Sequence, residues 1–269
     1  MAKLIFRDKK IFYRIEGVGK PVLLLHGFGE DGDIWKHQVD ELKQKYLLII
    51  PDLPGSGQSE MLEGKCTLKD FAEVVKAITD KEIKGEKSLL AMIGHSMGGY
   101  ITLAFAEKYP QLLTSFGLFH SSAYADSEEK KETRKKAIEF IKKNGRESFL
   151  QTSVPNLFSE KTQKERPELI DELLKLANKI SPEALIQYYE AMILRPDTTG
   201  VLKSFSKPVL FIIGKHDTAV PMQDSLEQSH MPEISFVHIL QNSGHEGMWE
   251  EEKISSEYLL DFLSEVAKK

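Results

Sequence analysis

Leu89-Leu90-Ala91-Met92-Ile93 runs directly into Gly94-His95-Ser96-Met97-Gly98, and after Gly99 comes Tyr100-Ile101-Thr102-Leu103-Ala104-Phe105-Ala106. The first stretch reads as a buried strand, the last as a helix, and the middle as a G-x-S-x-G turn between them. The five-residue pattern arises by chance in roughly one such chain in ten, so its context carries the weight. A sharp strand-to-helix turn can hold a serine in a strained backbone conformation with its hydroxyl exposed. Gly94 and Gly98 remove side chains that would collide across that turn. The helix N-terminus supplies unpaired N–H groups and positive dipole potential beside a developing oxyanion.

Working outward, further short apolar runs recur at 22–25 (VLLL), 46–50 (YLLII), 116–119 (FGLF), 209–213 (VLFII) and 234–240 (ISFVHIL). Most are continuous rather than alternating, as expected of parallel strands covered on both faces. Helical stretches lie between and after them at 34–45, 67–84, 97–109 and 248–267. Strand–helix alternation of this kind predicts an α/β fold with a mostly parallel central sheet and flanking helices. Leu4–Arg7 and Ile11–Ile15, joined around Asp8–Lys10, predict an antiparallel hairpin leading into the sheet. The alternation stops after Phe119. From 121 to 200 the chain offers helical patterns at 127–144, 146–153, 165–179 and 182–194, with start signals at Asp126-Ser127 and Ser181-Pro182 and a stop at Asn144-Gly145. The expected organisation is therefore a core of residues 1–120 and 201–269 with a helical insertion at 121–200.

A serine hydroxyl is a poor nucleophile without a base. Of the eight histidines, His245 is the best placed, in the loop Asn242-Ser243-Gly244-His245-Glu246 after the last expected strand. Asp217 follows VLFIIGKH at the end of the preceding strand and can orient that imidazole. The chain order Ser96, Asp217, His245 is the order of this kind of scaffold. A tetrahedral intermediate also needs two N–H donors: Met97 follows the nucleophile, and Phe28 lies in His26-Gly27-Phe28-Gly29 after VLLL. His120, Trp35 and Tyr189 are the candidates for lining a substrate site. For His120 a hydrogen-bonded structural role, and for Trp35 a packing role, compete with that reading.

Composition narrows the partners. Net charge is −5, which gives nucleic acid no broad attraction. The charge cluster at 126–136 mixes signs and reads as a solvated helix face. One cysteine, Cys66, rules out an internal disulfide and a multi-cysteine zinc site. No run approaches the ~20 apolar residues of a membrane span, and the first residues carry no apolar signal-peptide core. A small-molecule substrate and a cytoplasmic setting are the expectations. No H-E-x-x-H or clustered Asp/His spacing suggests a metal, and no cofactor is implied.

HGFG at 26–29, DLPGSGQS at 52–59, GHSMGG at 94–99, GKHD at 214–217 and SGHEGMWEE at 243–251 occur in the order of the α/β-hydrolase family, which this chain resembles over all but the insertion. The resemblance implies Ser96 as nucleophile, His245 as base, Asp217 as its orienter, Phe28 and Met97 as oxyanion donors, and the insertion as a helical cap over the site. It implies a serine esterase cleaving a small ester or related acyl compound. Carbon–carbon bond hydrolases, menaquinone-pathway synthases and ligand sensors that retain the triad share much of this pattern. The synthase branch would carry Arg where Tyr100 stands. A different class is represented by Gly27-x-Gly29-x-x-Gly32, a bare dinucleotide-binding pattern with Asp52 twenty residues on. Glu30, Asp31 and Asp33 crowd the place a pyrophosphate would occupy, which argues against a nicotinamide cofactor.

Overall fold

The computed structural model describes residues 1–85 and 89–268, so residues 86–88 and 269 of the expected core lie outside the described residues. The chain opens with β1 (Ala2–Phe6) and β2 (Lys9–Glu16), an antiparallel hairpin. Its turn is Arg7-Asp8, both at positive φ (49° and 62°), slightly earlier than expected. Two successive positive φ values give a turn whose twist matches the flanking strands. Next come β3 (Lys20–Leu25), α1 (Lys36–Leu42), β4 (Tyr46–Pro51), α2 (Leu68–Glu82), β5 (Leu90–His95), α3 (Met97–Lys108) and β6 (Leu113–Phe119). Helices alone follow: α4 (Glu128–Ser153), α5 (Glu160–Glu165), α6 (Pro167–Ala177), α7 (Pro182–Ile193) and α8 (Thr199–Ser204). β7 (Val209–Gly214), α9 (Met222–Ser229), β8 (Ser235–Leu240), α10 (Gly247–Glu250) and α11 (Glu252–Ala267) complete the described chain.

The strands form one sheet in the order β1-β2-β4-β3-β5-β6-β7-β8. β2 meets β4 antiparallel, and every pairing from β4 through β3 to β8 is parallel. The continuous apolar runs have a direct cause in this arrangement. Leu23 and Leu25 of β3 pack with Phe71 and Val75 of α2 and Ile101 and Phe105 of α3. Val22 and Leu24 face the other way, with Val39 and Leu42 of α1 and Leu259 and Phe262 of α11. Both faces are buried, so neither set of alternate residues is polar.

The helical segment between β6 and β7 differs in detail from its expected outline. Ser127 and Ser181 cap α4 and α7, accepting the Lys130 and Ala184 N–H groups. Gly145, at φ 81° and ψ 165°, leaves the helical backbone and divides α4 into two helical stretches, in keeping with the stop expected at Asn144-Gly145. The boundary expected at 200 falls inside α8, whose Val201 and Leu202 are buried in the core cluster with Phe105 and Phe116. No described helix is long and apolar enough to cross a membrane.

Candidate active site

Moving along the sheet from β3, the chain runs one way to β4 and the other way to β5, so the winding direction reverses there. Open α/β sheets bind ligands at such a reversal, outside the carboxyl ends of the strands. The register aligns those ends: Leu25 pairs with Gly94, His95 with Phe119, Phe119 with Ile212, and Gly214 with Leu240. Loops leaving β3, β5, β7 and β8 therefore emerge side by side, carrying Phe28, Ser96, Asp217 and His245.

Ser96 has φ 48° and ψ −114°, a strained conformation for a residue with a side chain. The surroundings hold it there. Its N–H donates to Phe119 C=O (3.0 Å), and Ser121 Oγ donates to its carbonyl (2.7 Å). The two motif glycines are required by close approach. A Cβ on Gly94 would lie 2.3 Å from the Gly98 carbonyl oxygen, and one on Gly98 2.6 Å from the Leu25 and His26 carbonyl oxygens. These contacts seat the N-terminus of α3 against the end of β3.

His245 Nε2 lies 2.8 Å from Ser96 Oγ, and its Nδ1 lies 2.8 Å from Asp217 Oδ2. With Nδ1–H donating to the carboxylate, Nε2 presents a lone pair to the serine hydroxyl. The other carboxylate oxygen, Oδ1, accepts Ala219 and Val220 N–H at 2.8 Å each. Burial raises the Asp217 pKa, but the His245 ring, hydrogen-bonded to the carboxylate, outweighs it and holds the carboxyl well below the usual carboxylate range. Asp217 is thus ionised while 6% exposed.

His120 stands behind this pair. Its Nδ1 is 3.0 Å from Gly214 N and 3.3 Å from Asp217 Oδ2. One ring nitrogen cannot accept from the first and donate to the second. Burial pushes the ring's pKa down to about 4, against the opposing pull of Asp217, so a neutral ring accepting Gly214 N–H is the consistent state. His120 is fully enclosed, and the expectation that it lines a substrate site is corrected to that of a support for β7. Trp35 is corrected likewise: it is wholly buried, edge-on to Phe119 with ring centroids 5.5 Å apart.

Tyr189 packs against the loop bearing Phe28. Its ring stacks on Phe28 at 4.3 Å and meets Phe149 edge-on at 5.9 Å. Burial raises its pKa to about 12. Neighbouring Tyr188 instead anchors α7 to the core, with its hydroxyl 2.7 Å from Pro54 O and from Ser56 Oγ. The loop bearing Phe28 abuts the nucleophile turn: a Cβ on Gly27 would lie 3.1 Å from Ser96 Cβ. At Tyr100, where the synthase branch would have Arg, the Arg195 guanidinium lies 3.6 Å over the ring. The cavity of about 170 Å³ beside Tyr100 is walled by neither Ser96 nor His245.

The glycine pattern at 27–32 is occupied by the chain's own carboxylates. Glu30 Oε2 accepts Gly27 N–H (2.6 Å). Asp52 accepts Gly32 N–H (3.1 Å) and Gln58 N–H (3.0 Å), stabilising its turn. Three supporting residues were given no such role from the sequence, although each lies within a motif. His95 reaches Glu30 and the His245 carbonyl, both at 3.0 Å. Glu246 is wholly buried, with both carboxyl oxygens lacking a hydrogen-bond partner. Glu250 accepts Gly244 N–H (2.7 Å) through Oε1, and Ser159 N–H (2.9 Å) and Thr162 O–H (2.7 Å) through Oε2. His245 N–H donates to Leu157 C=O (2.6 Å), so the helical segment grips the His245 loop directly. Two groups have the spacing of metal ligands among the described residues, His120–Asp217–His245 and Glu30–His95–Glu246. In the second, both His95 nitrogens already face hydrogen-bond partners; in the first, both His245 nitrogens and His120 Nδ1 do, while His120 Nε2 has none.

A family model described as alpha/beta hydrolase fold matches residues 20–252. The chain belongs to that family. This α/β hydrolase is 28% identical over 270 residues to the 2-hydroxy-6-oxononadienedioate/2-hydroxy-6-oxononatrienedioate hydrolase of Paraburkholderia phymatum, covering 96% of this chain and 92% of that one. It is 26% identical over 253 residues to Lipase 1 of Psychrobacter immobilis, covering 82% and 78%. A solved thermophilic esterase from Thermogutta terrifontis matches with a TM-score of 0.90 at 29% identity, covering 96% and 94%. The chain spans 29% of the length of the first curated relatives it matches.

Proposed function

We propose that this α/β hydrolase is a serine esterase that cleaves small carboxylic esters or related acyl compounds through an acyl-enzyme. The observation that carries the reading is the unbroken hydrogen-bonded line from Ser96 Oγ through the His245 ring to Asp217, each link 2.8 Å. Ser96 Oγ attacks the ester carbonyl carbon as its proton passes to His245 Nε2. Asp217 stabilises the imidazolium that forms. The Phe28 and Met97 N–H groups receive the oxyanion. Collapse expels the alcohol oxygen, which takes the proton from Nε2. Water then attacks the acyl carbon and gives its proton to Nε2, and a second collapse returns that proton to Ser96 as the acid departs. No cofactor enters this cycle, and the reaction consumes one water.

The helical segment at 121–200 serves as a cap in this reading. Phe28, Phe149 and Tyr189 form an aromatic wall that suits an apolar acyl or alcohol group of modest size. Carbon–carbon bond hydrolysis is the second reading, favoured by the near full-length similarity to the P. phymatum hydrolase.

The test is a panel of p-nitrophenyl acetate through decanoate, with diketone and lactone substrates, run beside Ser96→Ala. A fluorophosphonate probe should label Ser96 in the folded wild type and not in Ser96→Ala. Turnover of diketones alone would favour the second reading. Failure of the probe to label folded protein would point to a ligand sensor instead.

A further inference from the structure

Three buried ionisable residues sit beside the three parts of the candidate site in sequence. Glu30 follows Phe28 by two positions, His95 precedes Ser96, and Glu246 follows His245. They also converge in space, with one ligating atom of each within 4.8 Å of the others. His95 and Glu246 are 0% exposed and Glu30 2%.

The hydrogen bonds set the protonation of His95. Its Nε2 is 3.0 Å from the His245 carbonyl oxygen, which can only accept, so Nε2 carries a hydrogen. Its Nδ1 is 3.0 Å from Glu30, whose carboxylate already accepts Gly27 N–H at 2.6 Å. An imidazolium opposite a carboxylate satisfies every one of these atoms. Burial lowers the pKa of the ring, but the charge and hydrogen bond of Glu30 raise it to about 9. Burial likewise raises the Glu30 carboxyl, and the His95 charge brings it below its ordinary value. Glu246 is driven the other way, well above the carboxyl range, by burial and by the Glu30 charge. It is therefore a neutral acid beside the pair. The remaining titratable groups facing this cluster are His26 beside Glu30, Glu250 and Asp217 beyond Glu246, and the rings of His245 and His120, centred 5.0 and 6.1 Å from His95.

The connections run between loops that must stay in register. Glu30 fixes the main chain at Gly27, one residue before Phe28. His95 fixes the main chain of His245 itself. We propose that His95 and Glu30 are positioning residues of this hydrolase, an ion pair that locks the loop bearing the general base to the loop bearing the oxyanion donor. The proposal rests on the Ser96–His245 reading above. A buried pair is costly to desolvate, and an apolar filling of the same volume would leave both loops without these anchors. A shift of about 1 Å between reacting groups can lower a rate about 10²-fold. Since the ring's value is raised, its stabilising contribution is complete below 6.5 and is lost as pH rises through about 9.

Two substitutions separate the hydrogen bonds from the charge. In Glu30→Gln the amide oxygen can accept Gly27 N–H while the amide N–H donates to a neutral His95, whose Nε2–H still reaches the His245 carbonyl. In Glu30→Ala both links to residue 30 are gone. Wild type, both variants and Ser96→Ala are compared on p-nitrophenyl butyrate from pH 6 to 10, with fluorophosphonate labelling, circular dichroism and ¹⁵N-histidine NMR. Expected is a fall in kcat/KM of about 10–10²-fold for Glu30→Ala. Glu30→Gln should stay within about fivefold of wild type at pH 7.5 and lose the decline that wild type shows near pH 9. The NMR should show a doubly protonated His95 at pH 7.5 in wild type and a neutral ring in Glu30→Gln. A folded Glu30→Ala within threefold of wild type, or a Glu30→Gln profile superposing on wild type, would overturn the proposal. If Glu30→Ala does not fold, the Glu30→Gln profile and ring state decide. Unlabelled wild type marks failure of the Ser96 reading instead, and a neutral His95 in wild type then overturns the ion pair independently of activity.

Discussion

Asp217→Asn tests the direction in which the His245 proton faces. The substitution keeps the shape of the side chain but turns one acceptor into a donor. Oδ1 of Asp217 is committed to the Ala219 and Val220 N–H groups, 2.8 Å each. The asparagine carbonyl must take that place, so its NH2 group points at His245 Nδ1. The ring answers by carrying its proton on Nε2, where it faces Ser96 Oγ and cannot accept. Flipping the amide restores the ring but sets NH2 against two N–H donors, leaving each unsatisfied at about 1–3 kcal/mol. The competent arrangement then lies about 2–6 kcal/mol above the incompetent one. At 1.36 kcal/mol per factor of ten, that makes it about 30-fold to about 10⁴-fold rarer. Loss of the charge that stabilises the imidazolium pushes the effect to the upper end, a loss in kcat of about 10³–10⁴-fold. Initial rates on p-nitrophenyl butyrate at pH 7.5 measure it, with a thermal melt to show that the variant is folded. A folded Asp217→Asn retaining more than a tenth of wild-type kcat would refute the tautomer argument and move the orienting acid elsewhere.

Ser96→Ala and His245→Ala should each lower kcat by about 10⁴–10⁶-fold, and the double variant scarcely further, because one proton transfer needs both; near-additive losses would count against it. Gly98→Ala places a Cβ 2.6 Å from two carbonyl oxygens, where no flexible side chain can yield. Overpacking of this kind costs about 1–3 kcal/mol, to be read as a lowered Tm together with reduced labelling of Ser96; an unchanged Tm would mean that the turn is looser than described. Glu250→Gln replaces one of two fully used carboxylate oxygens by NH2, so either the Gly244 side or the Ser159 side loses its acceptor. Stability should drop by about 1–3 kcal/mol in urea unfolding, and kcat should fall as His245 loses its support. A stability loss with kcat untouched would show that Glu250 anchors the helical segment only.

Much of the architecture was written locally. Apolar runs of four to seven residues alternating with helical stretches specify a sheet covered on both sides, whichever strand neighbours which. The cap signals at Ser127 and Ser181 act within a few residues of themselves, and both appear where expected. The G-x-S-x-G turn is equally local, since its glycines answer collisions inside one strand–turn–helix unit. The stop at Asn144-Gly145 is local as well, since Gly145 leaves helical φ/ψ there, between two helical stretches.

Pairing between distant groups belongs to the tertiary structure. Ser96 and His245 are 149 positions apart, and nothing in either neighbourhood fixes a 2.8 Å approach; the parallel register of β5 through β8 does. The same holds for Glu30, whose negative charge in a glycine-rich loop read from sequence only as something repelling a phosphate. Folding brings His95 from 65 positions away and makes that carboxylate the anchor of an ion pair. Neighbours decide the rest: a histidine or glutamate has the same letter in water and in the core, and with both rings buried it is the Glu30 carboxylate that separates charged His95 from neutral His120.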